Sequence, residues 1–289
     1  MKSGFVAIFG KPNAGKSTLL NALVGEKLAI VSHKSQTTRH RIRAFLNGPD
    51  FQIIFSDTPG IITPEYKLHE KMMGAVKSSL EDADLAILLV DVRDNPEDIS
   101  PVFESLRLKV PAIVVLNKTD QCSKERIEAM EAAYRTQSYC REVVAVSALK
   151  KANLALLLEK ILGFLPEGLP FFDPEELTDL PTRFFAAEMV REKIFELFEQ
   201  EIPYQATVMV TAFQEQPNLT KISADIIVQR ESQKAILLGD KGSMIKKLGM
   251  ESRRELEAFL DRKVYLELFV KVRPKWRDNE MQLREYGYN

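Results

Sequence analysis

Short apolar runs alternate with stretches of helical period through the first 165 residues of this 289-residue chain. Strands are predicted at 5–9, 40–47, 50–57, 85–91, 111–117 and 142–147, and helices at about 16–24, 68–80, 99–108, 123–138 and 153–165. The runs Ala86 to Val90 and Ala112 to Leu116 are apolar at every position, which suits strands covered by helices on both faces. The alternation predicts a doubly wound α/β domain with a mostly parallel sheet, whose ligand sits at the C-terminal strand ends.

Periodicity stops between Leu165 and Pro181, a stretch rich in Pro, Glu and Asp that predicts a semi-rigid interdomain linker. From 183 the order becomes helix, strand, strand, helix, helix, strand. Phe184, Phe185, Val190, Ile194, Leu197 and Phe198 recur at helical spacing, with Glu188, Glu192, Glu196 and Glu199 expected outside. Alternating segments at 205–213 and 222–230 and a last strand, Val264 to Val272, complete an α+β pattern. The expected organisation is a first domain at 1–165, a linker at 166–182 and a second domain at 183–289.

Composition adds little to that outline, since 45% apolar and 28% charged residues are ordinary for a soluble globular protein. Charge adds more. Residues 1–180 carry 22 Lys and Arg against 24 Asp and Glu, whereas 230–277 carry 13 against 7, which points to an anionic partner for the C-terminal part. Cys122 and Cys140 lack metal-ligand spacing and predict reduced thiols in a cytoplasmic protein. No signal peptide is expected, and the longest apolar run, Leu85 to Val92, has the length of a strand rather than a membrane span.

Four polar motifs fall at predicted strand ends. Gly10 to Ser17 fits G-x-x-x-x-G-K-[ST], the phosphate-binding loop, between a strand and a helix. Its backbone N–H groups face phosphate, Lys16 reaches the β and γ oxygens, and the Ser17 hydroxyl serves Mg²⁺. Asp57-Thr58-Pro59-Gly60 places a carboxylate near that metal and a glycine N–H near the γ-phosphate. Asn117-Lys118-Thr119-Asp120 carries a carboxylate able to accept both N1–H and the N2 amine of guanine, donors that adenine lacks. Ser147-Ala148-Leu149 offers backbone to guanine O6.

With these motifs in this order, the first 165 residues resemble the translation-factor-type GTPases, and within them the Era-type ribosome-associated GTPases. The resemblance implies a P-loop G domain whose nucleotide is held by Lys11, Pro12, Asn13, Ala14, Gly15, Lys16, Ser17, Thr18, Asp57, Gly60, Asn117, Lys118, Asp120, Ser147, Ala148 and Leu149. It implies Mg²⁺ on Ser17, Asp57 and a switch threonine, assigned to Thr38 with Thr37 as the alternative. Residues 26–43, polar and basic, suit a segment that orders on the γ-phosphate. Ile61 stands where Ras-type enzymes carry the water-orienting Gln and has no group for that task. By resemblance to K⁺-dependent relatives, Asn13 is expected to help bind K⁺, its alternative being a hydrogen bond within its own loop. Asn13, Lys16, Thr38 and Gly60 form the expected catalytic set of a slow GTPase.

In the second half, Gly239-Asp240-Lys241-Gly242 joins two helices and is followed by Ile245, Lys246 and Lys247. In this element order it resembles a type II KH domain, whose G-x-x-G loop clamps about four single-stranded nucleotides. Ile236, Leu238 and Ile245 are expected to line the base groove. In the tail, Arg273 and Lys275 suit phosphates, and Trp276 either stacks a base or packs the C-terminal end onto its domain. A G domain followed by a KH domain is the arrangement of Era-type GTPases. It implies a monomeric, cytoplasmic GTP switch that binds the 3′ end region of small-subunit ribosomal RNA and acts in assembly of that subunit, with weak association at the inner membrane surface. A membrane-surface signalling GTPase and a constitutive RNA-binding protein with structural GTP are the two alternatives.

Overall fold

In the computed structural model, which describes residues 1–288, the chain forms two compact units. The first comprises Met1–Thr63 and Met72–Asp179, the second Pro64–Lys71 and Leu180 onward.

The first unit is a six-stranded sheet in the order β2-β3-β1-β4-β5-β6. Its strands are β1 (Lys2–Phe9), β2 (Ile42–Gly48), β3 (Phe51–Asp57), β4 (Leu85–Asp91), β5 (Ala112–Asn117) and β6 (Cys140–Ala145). Helices α1 (Lys16–Val24), α2 (Lys67–Asp82), α3 (Pro96–Ser105), α4 (Lys124–Arg135) and α5 (Leu154–Phe164) alternate with them. Every residue of β4 and β5 is buried, as expected of central strands sandwiched between helices. Only β2 runs antiparallel, as the outer arm of a hairpin with β3. Local signals set the helix starts: the Asn95 side chain accepts from Glu97 N–H before α3, and Ser123 accepts from Arg126 N–H before α4.

The predicted semi-rigid linker belongs to the first unit up to Asp179 and runs along the outer edge of β2. Leu177 C=O accepts from Phe45 N–H at 2.8 Å, Thr178 Oγ1 donates to Arg43 C=O at 2.6 Å, and Asp179 pairs with Arg43. Gln52, fully buried, accepts from the N–H groups of Phe171 and Phe172 and donates to Phe172 C=O. Phe172 stacks on Phe45 with centroids 4.1 Å apart, and Phe171 packs edge-on against Phe5. The prolines that break periodicity fit a segment whose hydrogen bonds go to another strand.

The second unit contains α6 (Thr182–Leu197), α7 (Ile202–Gln205), β7 (Thr207–Gln216), β8 (Leu219–Val228), α8 (Glu231–Leu238), α9 (Ser243–Leu260), β9 (Val264–Val272) and α10 (Glu280–Glu285). Central β8 pairs antiparallel with β7 and parallel with β9. One core gathers Val190 and Ile194 of α6, Ala224, Ile226 and Val228 of β8, Leu237 of α8 and Leu248 of α9. Glu196 and Glu199 are exposed as expected, but the rest of the expected polar face of α6 is covered. Glu188, Arg191 and Glu192 are all buried, with the Arg191 guanidinium forked onto the Glu188 carboxylate, the form in which a buried charge is tolerated.

Candidate active site and nucleic-acid groove

A cavity of about 560 Å³ opens at the C-terminal ends of the first unit's strands, lined among others by Asn13, Lys16, Ser17, Thr38, Gly60, Lys118, Asp120 and Leu149. The turn from β1 into α1 requires Gly15 at φ 99°, and a Cβ there would collide with the Asn117 carboxamide. That carboxamide joins three motifs: it donates to Ala14 C=O at 2.9 Å and accepts from Ala148 N–H at 3.0 Å. Lys118 Nζ spans from Asn13 C=O at 2.6 Å to the Asp91 carboxylate at 2.8 Å. Asp120 accepts the Ser147 hydroxyl at 2.5 Å, while Ser147 Oγ accepts from Lys150 N–H. The Asp120 carboxylate is thus fixed by the loop after β6.

The residues expected to hold the metal converge. Ser17 Oγ donates to Asp57 Oδ2 at 2.6 Å and lies 2.8 Å from Thr38 Oγ1, which is 3.4 Å from the same carboxylate oxygen. Thr37 points elsewhere, donating to Lys34 C=O at 2.7 Å, so the geometry separates the two threonines left open by spacing. Asp57 Oδ1 is buried without a hydrogen-bond partner. Burial pushes the Asp57 carboxyl up to about 6 against the nearby Lys16 charge, and burial likewise lowers the Lys16 ammonium to about 8. Two hydroxyls and a carboxylate with a spare buried oxygen suit a hard, oxygen-seeking divalent cation.

Lys16 Nζ donates to Gly10 and Lys11 C=O, bracing the phosphate loop. Gly60 backs onto Pro12, and Ile61 N–H donates to Gly10 C=O at 3.2 Å. The Ile61 side chain packs on the core cluster that contains Phe9 and Val90, so it faces away from the chemistry. Asn13 is exposed at the cavity wall with φ 64°.

Asp91 and Arg93 escaped the sequence reading. The β4–β5 register sets Asp91 opposite Asn117, which brings its carboxylate under Lys118. Although burial raises the Asp91 pKa, hydrogen bonds from Arg93 and Lys118 hold it well below the ordinary carboxylate range. A signal was available in the acid that ends an otherwise apolar strand. Ile30, Val31 and His33 of the 26–43 segment also line the cavity.

In the second unit, Gly239 (φ 69°), Lys241 (φ 47°) and Gly242 (φ 79°) make the tight corner between α8 and α9. Asp240, Lys241, Lys246 and Lys247 are exposed around it, and Ile236 is 48% exposed on α8. Beside the corner a groove of about 310 Å³ is lined by Ile245, Lys246, Gly249, Met250 and Arg253 of α9 and by Leu266 and Leu268 of β9. Of the predicted RNA residues it gathers Ile245 and Lys246. Gly249, Met250, Arg253, Leu266 and Leu268 were missed, though 245, 249 and 253 share one helix face and 266 and 268 one strand face. Trp276 cannot stack a base: it is fully buried, its Nε1 donates to Gln205 C=O at 3.0 Å, and its ring packs on Tyr286 and Tyr288. Packing of the C-terminal end therefore accounts for it. Arg273 and Lys275 are exposed beside it, Arg273 bonding Tyr286.

Comparison with known proteins matches residues 5–118 to the family model described as 50S ribosome-binding GTPase and residues 201–277 to the KH domain model. GTPase Era of Geotalea uraniireducens (strain Rf4) is 45% identical over 290 residues, spanning 99% of this chain and 98% of that protein. GTPase Era of Syntrophus aciditrophicus (strain SB) is 44% identical, spanning 100% and 95%. The crystal structure of a tyrosine-to-alanine variant of Aquifex aeolicus Era bound to GDP and AlF4⁻ superposes with a TM-score of 0.95 at 42% identity, covering 100% of this chain and 99% of that one. An Era complex with MgGDPNP and nucleotides 1506–1542 of 16S ribosomal RNA gives 0.95 at 43%, with the same coverage. Motifs, two-unit fold and near full-length relatives agree, and the chain belongs to the Era family of GTPases.

Proposed function

We propose that this chain is a GTP-hydrolysing switch that binds single-stranded small-subunit ribosomal RNA near its 3′ end and acts in assembly of that subunit in the cytoplasm. The observation that carries the reading is the pairing, in one chain, of a guanine-reading pocket around Asp120 with an apolar, lysine-rimmed groove beside Gly239–Gly242. A near full-length relative holds a GTP analogue and 16S RNA together, which supports small-subunit over large-subunit RNA.

Asp120 and Asn117 select and orient guanine, while the phosphate-loop N–H groups and Lys16 hold the phosphates. Ser17, Thr38 and Asp57 would hold Mg²⁺, which supplies charge neutralisation on the phosphate oxygens when bound. Gly60 N–H and Thr38 are the groups through which the γ-phosphate orders the segments from 61 onward and before 43. Asn13, exposed at the cavity wall, is where K⁺ would enter, in place of the water-positioning side chain that Ile61 does not provide. In the groove, Ile245, Leu266 and Leu268 take bases, and the Gly239–Gly242 turn with Lys241, Lys246 and Lys247 takes phosphates. Among the described residues no helix is long and apolar enough to cross a membrane.

The test measures affinity for a 16S 3′-end oligonucleotide with GDP and with a non-hydrolysable GTP analogue, alongside GTP turnover in KCl and in NaCl. Tighter RNA binding with the analogue and faster turnover in KCl are expected. Equal RNA affinities sink the switch, and equal turnover in the two salts removes K⁺ from Asn13.

A further inference from the structure

The last turn of α1 carries an asparagine, Asn21, where helix propensity alone favours an aliphatic or longer side chain. Its backbone C=O accepts from Gly25 N–H at 2.9 Å, with Gly25 left-handed at φ 87°, so the helix ends in a tight reversal. The Asn21 carboxamide then grips the chain beyond that reversal. Its Oδ1 accepts from Leu28 N–H at 3.0 Å and Ala29 N–H at 2.9 Å, while its Nδ2 donates to Ala29 C=O at 2.7 Å. Leu28 N–H has a second acceptor in Glu26 C=O at 3.2 Å, whereas Ala29 gives both its backbone groups to Asn21.

Burial follows the same boundary. Leu28, Ala29 and Ile30 are buried, Val31 is 39% exposed, and none of residues 32–36 is buried. The far end of the segment has its own attachment, through the Thr38 hydroxyl beside Ser17 and Asp57. Between the two attachments, Ile30 and Val31 line the same cavity as Lys118, Asp120 and Leu149. The polar, basic segment 26–43 is therefore not one switch. Its first residues are tied to α1 by hydrogen bonds that involve no γ-phosphate, and only the residues after Ile30 are left to move.

We infer that Asn21 is a positioning residue for nucleotide retention: by pinning Leu28 and Ala29 to the end of α1, it holds Ile30 and Val31 as a standing wall of the nucleotide cavity. It touches no reacting atom and acts through those two residues. A wall held in place beforehand costs no ordering when the nucleotide arrives, and it opens for release only when the Asn21 contacts break. The inference rests on the cavity being the nucleotide site.

The experiment measures, on the full chain, GDP release by displacement of a fluorescent GDP analogue, single-turnover hydrolysis of GTP with protein in excess, and trypsin cleavage after exposed Lys27. The variants are Asn21→Ala, Asn21→Asp, Ile30→Ala and the Asn21→Ala/Ile30→Ala pair, with Glu159→Ala, on the exposed face of α5, as control. Asn21→Ala is expected to speed GDP release about tenfold, the scale of one or two net hydrogen bonds, and to speed cleavage after Lys27 at least about threefold. Asn21→Asp keeps the acceptor for both N–H groups but loses the donor to Ala29 C=O, and its release rate is expected to fall between those of Asn21→Ala and the parent. The pair is expected to release GDP more slowly than the product of the single effects requires, because both act on one wall. Hydrolysis stays within about twofold of the parent, since Ser17, Thr38 and Asp57 keep their own contacts, whereas a general loosening of α1, which begins at Lys16 and Ser17, slows it in step with the faster release. Unchanged release or cleavage in Asn21→Ala, Asn21→Asp no better than Asn21→Ala, multiplicative effects in the pair, hydrolysis slowing in step with release, or an equal effect in Glu159→Ala overturns the inference. A parent chain that retains no GDP overturns the nucleotide-site reading and the inference together; a parent that retains it beside variants that release it no faster overturns the inference alone.

Discussion

In the proposed reading Asp120 accepts two donors from guanine, so exchanging its carboxylate for a carboxamide changes which base fits. Asp120→Asn keeps the shape and the contact to Ser147 but turns one acceptor into an NH₂ donor that faces the guanine amine. GTP affinity is expected to fall at least about a hundredfold, and xanthosine triphosphate, with an oxygen at that position, to become the better ligand in a displacement assay. Asp57 sets a pH dependence. Its carboxyl, raised by burial to about 6, must lose its proton to take the proposed Mg²⁺. The apparent Mg²⁺ affinity of the GDP-bound chain is therefore expected to be flat just above pH 7 and to fall towards tenfold per unit below about 6. Calorimetric titration of Asp57→Asn, which keeps only the nucleotide's own titration, isolates the effect. That Asp57, Asp120 and Lys16 gather at the C-terminal strand ends was legible in the sequence, because each lies in a motif at a local turn. Asp91 was not, because its role depends on which strand lies beside β4.

At the scale of elements, Gln52 shows what periodicity cannot carry. It is the fully buried partner of Phe171 and Phe172, some 120 residues away, and two backbone N–H groups depend on its single oxygen. Gln52→Ala strands those donors and is expected to cost about 2–4 kcal/mol. The resulting fall in melting temperature is read by calorimetry, with Gln52→Glu, which keeps an oxygen to accept from both N–H groups, losing less. The central strands β4 and β5 and the corner at Gly239–Gly242 were plain in the sequence, because burial on both faces and paired glycines leave local marks. The docked linker left none, since proline and acid look the same whether free or bonded to a distant edge. Trp276 is the converse: its cationic neighbours suggested nucleic acid, and only the fold shows the ring enclosed by Tyr286 and Tyr288.

For the whole molecule, a near-neutral chain concentrates its excess positive charge in residues 230–277, with 13 Lys and Arg against 7 Asp and Glu. Its affinity for single-stranded RNA is accordingly expected to fall with salt, and Lys246→Ala to flatten the slope of log affinity against log salt by about 0.7, one phosphate contact. An unchanged slope places Lys246 off the RNA path. The boundary between units falls at Asp179, inside the expected linker at 166–182 but near its end, and Pro64–Lys71 lies with the C-terminal unit. Neither placement could be seen in composition, because both follow from hydrogen bonds between segments far apart in the chain.

The linker's place along β2 bears on how the protein is made. β2 is an outer strand, and Phe45 N–H and Arg43 C=O find their partners only in residues 177 and 178. During synthesis the sheet can assemble long before those residues emerge, so the nascent first unit carries an open edge able to recruit a strand from another chain. Chains that stop at 165 retain that edge permanently, and their failure would be one of self-association rather than of folding. The segment that joins the two halves thus acts first as a chaperone in cis for the half already built.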